Sequence, residues 1–156
     1  MRRLRPLWRR LRKVETLRDL VHACDLRALD VVRAAAWRLD MLKIGEPLDT
    51  HPVELTPHIE VSHPPVPREG WLTYLVALEG QVTRGGQDAG KVEVTVRLAY
   101  EVRGKLPPDA LMRAFGFDIA THHAWPYLRE RAHTLATGIG LHLPPLPMRR
   151  LSSKLE

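Results

Sequence analysis

A chain of 156 residues with 44% hydrophobic content is one domain by length, and folding at this size buries roughly two-thirds of the surface that the unfolded chain exposes. Its one cysteine, Cys24, excludes an internal disulfide, so nothing in the fold depends on an oxidising compartment. No apolar stretch approaches the roughly 20 residues needed to span a bilayer, and the start lacks a signal peptide's apolar middle, so a soluble, cytoplasmic chain without a membrane span is expected.

The formal net charge of +6 is local. Arg2, Arg3, Arg5, Arg9, Arg10, Arg12 and Lys13 supply seven positive charges with no acid among them, and the remainder holds 17 basic residues against 18 acidic ones. Beside this arginine face, Leu4, Leu7, Trp8, Leu11 and Val14 recur at three- and four-residue spacing. Three readings fit such an arm: a solvated helix whose stripe packs on its own domain, a membrane-surface helix, or a nucleic-acid contact. An acid-poor amphipathic start is also the pattern of an organelle transit peptide.

Residues 15–26 continue a helical pattern through Leu17, Leu20 and Val21. A strand is expected over residues 29–41, where Val31, Val32 and Trp37 outweigh the helix preference of Ala34, Ala35 and Ala36. Residues 42–57 are rich in turn formers but keep Ile44, Leu48, Val53 and Leu55, which predicts an irregular crossover with apolar anchors. Residues 58–63 form a short extended piece before Pro64, Pro65 and Pro67.

Two clear strands follow, at residues 72–82 and 91–103, where apolar and polar side chains alternate with period two. One dry and one wet face imply antiparallel pairing, with residues 84–90 as the hairpin loop. Pro107, Pro108 and Asp109 open a helical region that runs to about residue 138. Its apolar residues, among them Met112, Phe115, Ile119, Trp125 and Leu128, spread widely around the axis. A single sheet covers one side of a helix, so a second subunit is expected on the other. Pro126 lies inside this helix, where proline costs about 3 kcal/mol and must be held by packing.

Catalytic motifs are weak. The run from Gly85 to Lys91 has phosphate-loop spacing, but Val92 follows in place of a hydroxyl residue and the next segment alternates as a strand, so no helix N-terminus would meet a phosphate. His22 lies two residues from Cys24, on another helix face. The eight histidines show no zinc-ligand spacing, and Asp109, Asp118 and Glu130 share no helix face. These patterns point away from an enzyme, a metal or a cofactor.

Two stretches, AWPYLRE from Ala124 to Glu130 and GLHLPPLP from Gly140 to Pro147, resemble the SecB family of export chaperones, and are most similar to the SecB-like chaperones that accompany toxin–antitoxin modules. The resemblance covers about residues 28–151. It implies an α+β subunit with a four-stranded antiparallel Greek-key sheet and a long C-terminal helix packed in an oligomer interface. Residues 1–27 would be a basic arm, 28–151 the chaperone domain and 152–156 a tail.

The resemblance further implies a homotetramer, a dimer of dimers, that holds non-native polypeptides without ATP. The client would be an antitoxin or an export precursor. Leu42, Ile44, Leu48, Val53 and Leu55 in the crossover, with Leu141, Leu143 and Leu146 near the end, are the residues expected to bind it. Export-type members are acidic and contact SecA through an acidic-aromatic tail, whereas this chain is basic at its start and ends in RRLSSKLE. Both departures count against SecA coupling. The rival function is nucleic-acid binding by the arginine arm, and a purely structural oligomerisation domain is the third.

Overall fold

The computed structural model describes residues 14–40, 52–63 and 67–147. Residues 1–13, the arginine-rich part of the basic arm, therefore lie outside the described residues, as do most of the crossover and the last nine residues. Helix α1 (Leu17–Ala23) starts where the Thr16 hydroxyl accepts a hydrogen bond from the Asp19 amide, and it buries Leu17 and Leu20 in the main core. It ends earlier than the sequence pattern predicts. Strand β1 (Cys24–Arg38) begins at once, because Cys24, Asp25 and Leu26 pair with Val102, Glu101 and Tyr100. A continuous ladder offers these residues more than three further residues of helix would, so the strand starts five positions before the expected one.

Strand β2 (Val53–Ser62) likewise starts five residues before the predicted extended piece and absorbs Val53 and Leu55 from the expected crossover. Pro57 sits in its middle. That is tolerated because the sheet order β1-β4-β3-β2 puts β2 at an edge, where a missing N–H costs no ladder bond on the open side. Strands β3 (Trp71–Arg84) and β4 (Gln87–Val102) follow the predicted alternation. Their turn is tighter than the seven-residue loop expected. Gly85 and Gly86, with φ of 57° and 77°, make the whole connection, and a two-residue turn with both φ positive matches the twist of the hairpin. All pairs are antiparallel, and β1 lies beside β4 after crossing from one edge to the other, which is a Greek-key arrangement.

One face of the sheet carries the core: Leu72, Tyr74, Val76, Leu78 and Val82 from β3, and Val92, Val94, Val96, Leu98, Tyr100 and Val102 from β4, all buried. A continuous helical run covers it, made of α2 (Asp109–Phe115), a π-helical turn (Gly116–Ala120) and α3 (Thr121–Gly138). Tyr74 donates from its hydroxyl to the Met112 carbonyl, and Thr121 donates to the Gly116 carbonyl, at 2.8 and 3.0 Å, on either side of the π turn. Gly116 is needed there, since a Cβ would fall 2.6 Å from the buried Tyr74 ring.

Much of the apolar circumference of this helix is met within the subunit, while Phe117 and Tyr127 stay exposed. Met112, Phe115, Ile119, Trp125, Leu128 and Ala132 are all buried within the subunit. Helix α2 packs on α1, the π turn on β2 and β3, and α3 on β4 and β1, so successive segments turn different sides to their own chain. Residues 141–147 continue past the helix, with the Trp125 Nε1–H donating to the Pro147 carbonyl at 2.9 Å. The outer arc of α3, with His122, His123, Pro126, Tyr127, Glu130, His133 and Thr134 exposed, is mostly polar.

Candidate functional site

At the hairpin end the inner face of the sheet is covered by the segment after α3, with Val82, Val92 and Leu141 fully buried and Val53 and Leu55 of β2 half-buried at its margin. Register places Leu55, Val82, Gly90 and Arg38 in one row across β2, β3, β4 and β1. With strands about 4.8 Å apart, Leu55 lies roughly 10 Å from Gly90. Leu141 seats on Gly90, where a Cβ would come within 2.5 Å of its Cδ1. The fold thus brings the N-terminal half of β2 and the segment after α3 to the same end of the same face.

Charge closes the rim. The Asp40 carboxylate accepts from Arg38 Nε at 2.6 Å and Nη2 at 3.2 Å, and from Arg84 Nη1 at 3.1 Å. Arg38 also donates to the Ile139 carbonyl at 3.3 Å, placing a cation at the carboxyl end of α3 as the helix dipole favours. One carboxylate therefore ties the ends of β1 and β3, and through Arg38 the end of α3. The sequence holds no local signal for this cluster, because its members are 2 and 44 residues from Asp40.

Of the residues expected to bind a client, Leu42, Ile44 and Leu48 lie outside the described residues. Val53 and Leu55 are half-buried in β2, packed against the core. Leu141, Leu143 and Leu146 are buried. Beside Leu146 a cleft of about 370 Å³ opens on the outer side of α3, lined by Pro126, Arg129, Glu130, His133, Pro145 and Leu146. Three residues of the AWPYLRE stretch therefore line a surface feature.

A second apolar feature runs along β1. Leu26 and Val31 pair with the buried Tyr100 and Val96 but are 41% and 37% exposed, since the helices stop short of this edge. Val32, at the second register shift, Trp37, which pairs with Lys91 on the other face, and Leu39, just past the end of β1, are exposed as well, so this edge of the sheet is apolar on both faces. The wet face of the sheet, by contrast, is laced with ion pairs, including Asp30–Arg97 and Arg27–Glu101.

Two titratable groups beside the core, the half-buried Cys24 and the largely exposed His123, have shifted behaviour. Burial, then the Asp25 charge, push the Cys24 thiol up to about 12. Native Cys24 is therefore expected to react with a thiol reagent at pH 8 on the order of a thousand-fold more slowly than in the unfolded chain, following its thiolate fraction. Equal rates in the presence and absence of denaturant would contradict this environment. His123 meets the Tyr100 hydroxyl through Nδ1 at 2.9 Å, and burial, then His122, hold its pKa below the ordinary 6.5. The native state thus favours neutral His123, so its contribution to stability is complete above pH 6.5 and is lost as pH falls through the lowered value. Melting temperature should drop between pH 7 and 5 by more in the wild type than in His123→Gln; parallel curves would exclude the assignment.

No family model matches the chain, and no curated protein matches it in sequence. Among solved structures, it is similar to the Mycobacterium tuberculosis Rv1957 SecB-like chaperone in complex with a ChAD peptide from the Rv1956 HigA1 antitoxin, with a TM-score of 0.62 and 18% identity over 85% of this chain and 93% of that one. The chain has the SecB-like fold. The resemblance carried by AWPYLRE and the proline-rich end agrees with that architecture. At this identity the SecB-like likeness establishes the arrangement of the sheet and helices, and the functional residues must be argued from the geometry. Among the described residues, no helix is long and apolar enough to cross a membrane and no group of three or more potential ligands could hold a metal ion.

Proposed function

We propose that this protein is an ATP-independent chaperone that holds non-native polypeptides, with an antitoxin as its client. The observation that carries the reading is the SecB-like architecture, shared with a chaperone captured with an antitoxin peptide. Two apolar features support it: the hairpin end of the sheet with Val53 and Leu55, and the uncovered strip along β1. They suit different tasks. The strip is long and near the edge of the sheet, as a surface joining copies of the subunit would be, and the proposed assembly is a homotetramer. The hairpin end would take extended client chain. Several weak apolar sites on one particle raise effective concentration and hold a client without any single tight contact.

The test is aggregation of a chemically denatured protein on dilution, followed by light scattering without nucleotide. Suppression at about one chaperone particle per client chain is the expected result, and a purified antitoxin should be protected from proteolysis under the same conditions. Scattering curves unchanged by the protein would reject the proposal.

A further inference from the structure

Residues 141–147 end the described chain as an extended segment with no helix or strand of its own. Leu141, Leu143 and Leu146 are buried, while His142, Pro144, Pro145 and Pro147 face solvent. Beyond the bond from the Leu141 amide to the Ala136 carbonyl, which closes the helix, no backbone–backbone hydrogen bond holds residues 142–147 among the described residues. Three prolines remove donors and favour an extended chain. The segment is thus attached by inserted leucines and by one bond at its far end, from Trp125 to Pro147.

A non-native polypeptide presents the same chemistry: an extended backbone and apolar side chains at short intervals. We propose that residues 141–147 form an internal strap which occupies a groove suited to client chain, and that client binding displaces it. This deepens the chaperone reading and rests on it. Gly140, at φ 78°, supplies a turn from which the strap can swing without disturbing α3. Gly90 lacks the side chain that would fill the seat of Leu141. The cleft beside Pro145 and Leu146 gives an incoming chain a place to start, next to the weakly held end. Leucines inserted in this way belong to the guest in the groove, and its walls are β4 and α3.

The experiment uses the full chain and reduced, carboxymethylated α-lactalbumin as a permanently unfolded, thiol-free probe. In Leu143→Cys, thiol labelling at position 143 should accelerate at least tenfold when the probe saturates the protein, with slow Cys24 as an internal reference. Because this substitution could impair folding, probe affinity is also measured for Trp125→Phe, which loses the indole donor to Pro147 together with part of the buried ring, and for Leu146→Ser, with far-UV circular dichroism confirming that each is folded; both should bind about fivefold tighter than the wild type. Probe binding with no acceleration at position 143, and unchanged affinity in Trp125→Phe and Leu146→Ser, would overturn the strap and leave the chaperone reading intact. Absence of probe binding by all of these proteins would overturn both.

Discussion

Gly90→Ala is expected to destabilise the protein by about 3 kcal/mol, at the upper end of typical overpacking costs. The glycine sits in β4 opposite Arg38 of β1 and Val82 of β3, at the end of the sheet where Leu141 is seated. A Cβ there would lie 2.5 Å from the Trp37 carbonyl oxygen and 2.5 Å from Leu141 Cδ1. A leucine methyl can rotate away. The carbonyl belongs to the backbone of β1, so relief requires the end of that strand to separate from β4, next to the bond from the Leu39 amide to the Ala89 carbonyl. For a chain of this length the loss corresponds to a melting temperature lower by roughly 10 °C. Gly138→Ala is the control: a Cβ there meets nothing within 4 Å, and the residue is helical, so a small gain of about 0.5 kcal/mol is expected. Equal effects of the two substitutions would mean that the β1–β4–Leu141 contact is not as close as described.

The second large effect concerns assembly. Val32→Asp combined with Leu39→Asp should convert an oligomer with four times the 17.8 kDa subunit mass into smaller species that remain folded. Both side chains are well exposed in the subunit, at 48% and 56%, so their loss costs the fold little. In a two-fold interface each substitution occurs twice, and burial of each aliphatic side chain is worth about 1.5–3 kcal/mol. The dissociation constant should therefore rise by on the order of 10⁴. Size-exclusion chromatography with light scattering reads the mass, and far-UV circular dichroism checks the fold. A variant that keeps the wild-type mass would remove β1 from the interface.

The β3–β4 hairpin was legible because its side chains alternate without interruption over both strands. Strand β1 was legible from residue 29 onward but its first five residues were not, for a specific reason. Register shifts between Leu26 and Ala28 and between Val31 and Arg33 move the inward positions from 24 and 26 to 29 and 31, then to 34 and 36. Each bulge inverts the parity on which strand recognition depends. In β2 the alternation Val53, Leu55, Ile59, Val61 does persist, but Pro57 and the preceding turn formers concealed it. The long helix was legible as well, but what covers it was not, and Phe117 and Tyr127 stay exposed. Its wide apolar circumference looked like an unmet surface, whereas α1, the sheet and residues 141–147 meet much of it within one chain.

Parts of the candidate site depend on long-range placement that local pattern cannot carry. Closely spaced leucines at 141, 143 and 146 announce an apolar segment, yet whether they line a groove or fill one is decided by Gly90, about 50 residues earlier in the chain. The Arg38–Asp40–Arg84 cluster is likewise created by the sheet order, which brings the ends of β1 and β3 together across β4. The arginine-rich residues 2–13, prominent in the sequence, lie outside the described residues.

Titration calorimetry of the protein with an unfolded, nucleotide-free client over a range of temperatures and salt concentrations tests the central claim most directly. Capture of apolar chain in grooves predicts a clearly negative heat capacity change and an affinity that varies little with salt. Binding whose affinity collapses as salt is raised, with a heat capacity change near zero, would instead mark contacts made by the arginine arm and contradict the account.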